Sequence, residues 1–439
     1  MKKYEKVYFK YREDIINGYL KKGAQLPSIR KSCEMFKASQ TTIEHAYEKL
    51  LIDGYIYSVP QIGYFVNIEE ERIQLHKQFD QYSMIHKPVS YLYDFRSQTV
   101  SQDSFEVSTW KRYIKDVLDD RINMSTYGDS QGEYVLREAI CQYAYKIRGV
   151  LSQPDKILIG SNYQSLLFIL CGLFEKETVI AMEKEADQAQ RVFESYGYEV
   201  KIINSNDGGI DVEDLKKFDV DVLYMNSASQ GNKKRPISNH LREKLMTYTT
   251  EHNILIIEDD YNGELTYASK HHHAMQGFSK NDNIIYCGSF SRLLLPSLRI
   301  SYMVLNDQYS KIYQHFKNDY GPTASKLEQL AFSRYIVDGY LEKHLRKLKK
   351  EYKEKYIEMK KAIEEHLPYQ HYLNEAYLCY CIELKDIDEN RLEEKCIENK
   401  IAINPIVHHI LKISFASIDT KKINQSISLL SKLIQECCL

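Results

Sequence analysis

The chain of 439 residues has little of what marks a specialised architecture. Its 18 glycines, 9 prolines and single tryptophan, with 43% apolar and 27% charged residues, exclude collagen-like, low-complexity and largely disordered readings. The nine cysteines (Cys33, Cys141, Cys171, Cys287, Cys379, Cys381, Cys396, Cys437, Cys438) are odd in number and never spaced Cys-x-x-Cys, so neither a disulfide framework nor a zinc site is suggested. There is no apolar run of the roughly 18 residues that a membrane span requires, and no apolar signal core follows Met1-Lys2-Lys3. A cytoplasmic protein is therefore expected. At about 150 residues per domain the length predicts about three domains. A net charge of −2 gives no argument for nucleic acid, but it hides an asymmetry: residues 1–66 carry 11 basic and 7 acidic side chains, a net +4 on a body of net −6.

Residues 6–17 place Val7, Tyr8, Tyr11, Ile15 and Ile16 on one face at helical spacing, and Gly18 and Gly23 supply a stop and a turn. Pro27-Ser28 starts a second helix over 29–36, and Ser39 is the expected cap of a third, which carries Ile43, Ala46, Tyr47, Leu50 and Leu51. Gly54 ends it. Tyr55-Ile56-Tyr57 and Tyr64-Phe65-Val66 then flank a Pro60-Gln61-Ile62-Gly63 turn, so the pattern predicts a winged helix-turn-helix over 1–68. A major groove admits one helix whose N-terminal residues reach the base edges, which makes Gln40, Thr41 and Thr42 the expected readers of double-stranded DNA. A protein-interaction module is the alternative from pattern alone.

Leu26-Pro27-Ser28-Ile29-Arg30, Ser39-Gln40-Thr41-Thr42-Ile43, Ala46-Tyr47-Glu48-Lys49-Leu50 and Asp53-Gly54-Tyr55 resemble successive blocks of the GntR-type DNA-binding domain, over residues 4–66. The resemblance implies an operator as partner and DNA contacts from Arg30, from Ser39, Gln40, Thr41 and Thr42, and from the wing Gly63. Where many members carry arginine this chain has Gln40, which removes a phosphate or guanine contact.

From Asn67 to Tyr91 the chain is polar and weakly periodic, and 69–92 reads as a linker that is able to extend as a helix over 69–83. Beyond it, apolar runs at 156–159, 178–182, 199–203, 220–225, 254–258, 284–288 and 300–305 alternate with helical stretches, among them 163–174, 187–197 and 239–251. That alternation predicts a mostly parallel sheet covered on both faces, a large α/β domain over 93–324. One long helical segment from Ser325 to His366 leaves the sheet and opens a small α+β domain that ends the chain, over 325–439.

Tyr127-Gly128-Asp129-Ser130-Gln131-Gly132-Glu133, Glu258-Asp259-Asp260-Tyr261, the run Ser289-Phe290-Ser291-Arg292 through Leu298-Arg299, and Leu411-Lys412-Ile413-Ser414-Phe415 resemble the class I aminotransferase fold, a fold type I pyridoxal-phosphate-dependent transferase body. Joined to the head, the whole is similar to MocR-type regulators. The resemblance implies a homodimer arranged head to tail.

Pyridoxal phosphate chemistry needs a lysine amine for the Schiff base, an acid for the ring nitrogen and donors for the phosphate. By resemblance Asp259 pairs with the ring nitrogen, Tyr261 bonds the ring hydroxyl, and Ser289, Ser291 and Arg299 serve the phosphate. The lysine position holds Arg292, a permanent cation without a free amine lone pair, so covalent attachment there is excluded. Lys412 replaces the carboxylate-binding arginine, and 183–187, 228–234 and the short connection from Pro405 to Leu411 depart from the family as well. No cofactor and no catalytic residue are therefore expected, and non-covalent pyridoxal phosphate is not expected either. Asp259, Tyr261, Ser289, Ser291, Arg292, Arg299 and Lys412 become a vestigial pocket, with an anionic small-molecule effector as the further partner. Arg292 is expected to cross the vacated space and pair with Asp259, because a buried carboxylate must find a partner. His271-His272-His273 reads as a solvated loop rather than a metal site, and Cys379 and Cys381 as two core residues on one face. The chain thus reads as a transcriptional regulator whose degenerate body dimerises and senses. A working pyridoxal phosphate aminotransferase, or a non-covalent pyridoxal phosphate sensor, is the rival.

Overall fold

In the computed structural model the described residues are 2–67, 90–96, 100–101, 105–184, 186–206, 209–231, 235–269 and 272–438. Two compact units are present, Met1–Val89 and Ser90–Leu439. The expected linker lies outside the described residues except for 90–92.

In the first unit, α1 (Lys3–Ile16), α2 (Ile29–Phe36) and α3 (Gln40–Ile52) precede a hairpin of β1 (Ile56–Val59) and β2 (Gly63–Val66). The apolar spacing does what it predicts: Val7, Tyr8, Tyr11, Ile15, Ile43, Ala46, Tyr47 and Leu50 are all buried. A chain of hydroxyls ties the three helices together, Tyr11 Oη to Ser32 Oγ at 2.8 Å and Ser32 Oγ to Tyr47 Oη at 2.9 Å, with Tyr47 Oη donating to the Pro27 carbonyl at 2.7 Å. Burying these hydroxyls is tolerable because each has partners. Ser28 caps α2, accepting from Lys31 N at 3.3 Å. Ser39 stands at the cap position of α3 as expected, but its hydroxyl meets Thr42 Oγ1 at 2.8 Å and makes no bond to the helix backbone.

The second unit is built on a seven-stranded sheet. In chain order its strands are β3 (Ile157–Gly160), β4 (Val179–Glu183), β5 (Glu199–Ile203), β6 (Val222–Asn226), β7 (Leu255–Asp259), β8 (Ile284–Ser289) and β9 (Ser301–Val304), and across the sheet the order is β3-β9-β8-β7-β6-β4-β5. Five strands, β5 through β8 in space, run parallel, and β9 is antiparallel to both β8 and β3. The near-continuous apolar runs follow from helices on both faces, which leave these strands no solvated side. The expected single long helix is two: α10 (Lys326–Val337) and α11 (Tyr340–His366), α4 to α9 being Val107–Leu118, Tyr134–Arg148, Tyr163–Cys171, Asp187–Ser195, Asn239–Glu251 and Asp307–Phe316. Gly339, with φ +77, breaks the segment by taking a left-handed turn that a side chain disfavours. The chain ends in a three-stranded antiparallel sheet, β10 (His371–Asn374), β11 (Cys379–Glu383) and β12 (Ile410–Ser414), with α12 (Glu389–Glu398) and α13 (Ile423–Gln435). No helix among the described residues is long and apolar enough to cross a membrane.

The end of β7 fixes the body around three successive acids. Side chains alternate along a strand, so Glu258 and Asp260 share one face and Asp259 takes the other. Glu258 accepts from Met275 N at 2.7 Å and Gln276 N at 2.9 Å; Asp260 accepts from Arg148 Nε at 2.6 Å, Arg148 Nη2 at 2.9 Å and Tyr286 Oη at 2.8 Å. Nearby Glu264 is wholly buried with neither oxygen hydrogen-bonded among the described residues, and burial, then the Asp260 charge, pushes its carboxyl up to about 7. Arg148 and half-buried Lys349 act in the opposite direction, and Tyr143 and Tyr302 complete its surroundings. Because the folded value lies above the ordinary one, the stabilisation is full below about pH 4.5 and lost as pH rises through about 7. Glu264→Gln, which imitates the protonated form, should leave the calorimetric Tm of the body nearly unchanged at about pH 4 and raise it at about pH 8. An equal shift at both values would show that Glu264 does not carry this dependence.

Candidate functional site

The head gathers three of its expected DNA contacts. Arg30 on α2, Gln40 at the start of α3 and Gly63 at the start of β2 line one open cleft of about 610 Å³, together with Gln25, Pro27, Ser28 and Ile62. Ser39, Thr41 and Thr42 stand beside it on the same helix start, and Arg30, Ser39, Gln40 and Thr41 are exposed. The wing is held by a residue that pattern reading missed: Gln25 Nε2 donates to the Ile62 carbonyl at 2.9 Å, and a Cβ on Gly63 (φ +138) would come within 3.0 Å of that same nitrogen. A solvent-facing glutamine outside every periodic run gives no sequence signal for such a role.

In the body, Asp259 sits at the carboxyl end of β7, the edge of a parallel sheet where ligands bind. It does not pair with Arg292 as expected. Its Oδ2 accepts from Tyr224 Oη at 2.6 Å, while Arg292 Nε donates to Tyr261 Oη at 2.9 Å and Nη1 to the Tyr377 carbonyl at 3.1 Å. The reason is geometric: β6 runs beside β7 and brings Tyr224 to the carboxylate first, and the turn between β10 and β11 offers Arg292 a nearer acceptor. Burial pushes the Asp259 carboxyl up to about 7, with the Tyr224 hydrogen bond working against it. Tyr163, whose buried Oη makes no hydrogen bond among the described residues, lies tilted beside Tyr224 with ring centroids 6.3 Å apart.

At the end of β8, Ser289 Oγ lies 3.3 Å from Ser291 Oγ and accepts from Ser301 Oγ at 3.0 Å, so three hydroxyls converge. Arg299 is exposed on the connection leading into β9. Lys412 is exposed on β12, opposite Cys381, and Cys379 lies in the field of both Lys412 and Arg292. Asp259, Tyr261, Ser289, Ser291 and Arg292 thus lie at or just beyond the carboxyl ends of the neighbouring strands β7 and β8, while Arg299 and Lys412 are solvent-exposed. The turn over 374–378 is tied down beside it: Asn262 Nδ2 donates to the Ala376 carbonyl at 2.5 Å, and Glu375 accepts from Tyr267 N at 2.6 Å and Ala268 N at 2.7 Å. Tyr224, Tyr163, Glu375 and Tyr377 were not anticipated, since two lie in or beside apolar runs and two in a turn without a motif. Of the histidine triplet, His271 and the Asn232-Lys233-Lys234 stretch lie outside the described residues, and no group of three or more potential metal ligands forms among the described ones.

Residues 96–430 match the family model described as aminotransferase class I and II, and residues 3–66 that of the gntR family of bacterial regulatory proteins. The chain is a class I and II aminotransferase family member with a GntR head. Among its relatives, the HTH-type transcriptional regulator YdeL of Bacillus subtilis is 31% identical over 372 residues, 83% of this chain and 80% of the relative. The probable rhizopine catabolism regulatory protein MocR of Rhizobium meliloti is 25% identical, over 80% of this chain and 75% of that one. The kynurenine aminotransferase of Pyrococcus horikoshii, solved in complex with PMP, shares the fold with a TM-score of 0.68 at 22% identity, over 84% of this chain and 97% of that one. This GntR-headed chain is therefore a transcriptional regulator with an aminotransferase-like domain.

The family membership corrects one expectation. The body was expected to hold no cofactor, yet the class I and II aminotransferase match and its pyridoxal-phosphate-enzyme neighbours point to pyridoxal phosphate binding. Arg292 bears only on covalent attachment, and the rest of the cofactor's chemistry still has partners. The residues fit the group: a partly buried carboxyl raised to about 7 is matched by a protonated ring nitrogen, three converging hydroxyls by a phosphate, and an orphaned tyrosine hydroxyl borders the same carboxyl. Arg292→Met should destabilise the body by about 1–3 kcal/mol, because Tyr261 Oη and the Tyr377 carbonyl lose a charged donor, with Arg292→Lys intermediate. Unchanged thermal unfolding in the methionine variant would show that this bridge is not used.

Proposed function

We propose that this regulator binds an operator through Arg30, Ser39, Gln40, Thr41, Thr42 and Gly63, and that its body is an inactive aminotransferase domain that senses pyridoxal phosphate held without a covalent bond. The observation that carries the reading is the guanidinium at position 292, engaged with Tyr261 and Tyr377 where a nucleophilic amine is required. Bound there, the cofactor would supply an electron-withdrawing ring. Asp259 would hold the ring nitrogen's proton, Tyr261 the ring hydroxyl, and Ser289, Ser291 and Arg299 the phosphate. Lys412, with Arg292, would add positive charge toward an anionic effector. We place this regulator in the cytoplasm, with domains over 1–68, 93–324 and 325–439 joined by a linker over 69–92.

The body also serves as the dimerisation unit in this reading, two copies pairing head to tail. Support comes from apolar side chains left bare around the loop before α5: Ile122 is 85% and Tyr127 97% exposed, with Val337 at 72%. Two linked heads on two half-sites multiply an affinity that a single winged helix cannot supply.

Pyridoxal phosphate should raise the Tm of the purified full chain, since a ligand that prefers the native state stabilises it, and the shift should vanish on dialysis and in Asp259→Ala. Borohydride treatment should leave the protein mass unchanged. A mass increase equal to the reduced cofactor would establish covalent attachment and sink the sensor reading. In the head, Arg30→Ala should weaken binding to all duplexes alike and lessen the salt slope of log K by about 1. A loss confined to the operator would assign Arg30 to base recognition instead.

A further inference from the structure

Between Ala38 and Glu48 there is no lysine or arginine, so the first two turns of α3 reach for DNA without either. That stretch carries Gln40 and Glu44, both exposed, one turn apart on the same face. They are joined: Gln40 Nε2 donates to Glu44 Oε1 at 2.8 Å. A carboxylate only accepts, so this bond settles which end of the amide faces inward. The outward edge of Gln40 then offers its Oε1 as acceptor beside the second Nε2 hydrogen as donor. Adenine presents the complement in the major groove, an N6 donor beside the N7 acceptor, whereas guanine presents two acceptors, one of which would face Oε1.

Glu44 keeps Oε2, which has no hydrogen bond among the described residues, for a donor of its own. Among major-groove edges the N4 amine of cytosine is the other strong donor. Four residues of helix rise about 6 Å, and base pairs stack about 3.4 Å apart, so the two contacts fall one or two base steps apart.

We infer that Glu44 is a specificity-determining residue: it locks Gln40 into its adenine-reading orientation and itself reads a nearby cytosine, so that α3 selects bases with an amine on the major-groove edge and rejects guanine. The inference rests on the operator-binding reading above. The wing and the N-terminus of α2 contribute Ile62, Gly63 and Arg30 to the adjoining cleft, which leaves phosphate contact to Arg30 and base contact to α3.

The test is selection from duplex DNA with a randomised core by the immobilised full-length chain, followed by sequencing. Each wild-type half-site should carry an adenine with a cytosine one or two steps away, each favoured by about ten-fold or more over the alternatives. Gln40→Ala should lose the adenine and keep the cytosine. Glu44→Ala should lose the cytosine and let guanine compete at the adenine position, and Glu44→Arg should convert the cytosine position to guanine, a gain that misfolding cannot produce. A motif without adenine and cytosine so placed, or an identical motif from Glu44→Ala and wild type, overturns this inference alone. Failure of the wild type to enrich any duplex overturns it together with the operator-binding reading.

Discussion

Three acids in a row at the end of a buried strand are a severe electrostatic constraint, and the body is arranged around resolving it. Taking a carboxylate out of water costs several kcal/mol unless donors replace the solvent. Asp260 receives a bidentate guanidinium from Arg148 and the Tyr286 hydroxyl, which ties α5 and β8 to β7. Glu258 receives two backbone amides from the segment at Met275, so a loop distant in sequence is pinned under the sheet. Alternation turns Asp259 to the other face, where a single tyrosine meets it and its proton affinity stays high. The structural pair thus leaves the middle residue on the other face, at the strand end where the proposed pyridoxal phosphate site lies.

Position 292 bears on that site from the opposite side. Lysine and arginine are both cations, but a lysine held in a low-dielectric pocket can give up its proton and attack a carbonyl, whereas a guanidinium stays charged and presents a planar fork. In this chain the fork spans two elements, Tyr261 just beyond β7 and Tyr377 in the turn after β10. Arg292 joins the sheet edge to the C-terminal domain. The same turn is held by Asn262 and by the carboxylate of Glu375 on successive amides, so the contact at Tyr377 is one of several and does not depend on Arg292 alone. A ligand between Asp259 and Arg292 would therefore meet a preformed wall, with little ordering cost on its side of the pocket.

Much of this was legible in the residues. Period-3.6 apolar spacing located the head helices because their faces bury Tyr11, Ile43 and Tyr47, and apolar runs located the sheet strands because both faces are covered. The family blocks placed Asp259, Tyr261 and the serines at one strand edge, as the structure does. What pattern could not give was the partner of each charge. Arg292 was expected at Asp259 by the rule that buried charges pair, but the rule is satisfied equally by a tyrosine hydroxyl, and Tyr224 sits inside an apolar run where nothing marks it as polar in function. The break at Gly339 was missed for a related reason: the apolar spacing continues across it, and only backbone conformation distinguishes one helix from two. Absence of cofactor was inferred from Arg292 together with the departures at Lys412, 183–187, 228–234 and 405–411, whereas the family match over the whole body points to pyridoxal phosphate binding.

The head divides labour in a way that its charge conceals. A net +4 over residues 1–66 suggests a basic reader, yet the reading helix itself is uncharged or acidic where it would meet the groove; Lys49 lies in its last turn, and the other cations stand on or next to α1 and α2 and in the turn at Lys21-Lys22. Phosphate neutralisation supplies most non-specific affinity and carries no sequence information, while amide and carboxylate contacts to base edges carry information and little attraction. Separating the two means that a wrong sequence still meets the cations but leaves Gln40 and Glu44 facing acceptors, which is a penalty rather than a missing gain. On the proposed reading such a head discriminates well and holds weakly, and weak hold by one head would be a physical reason for two copies to engage one stretch of duplex.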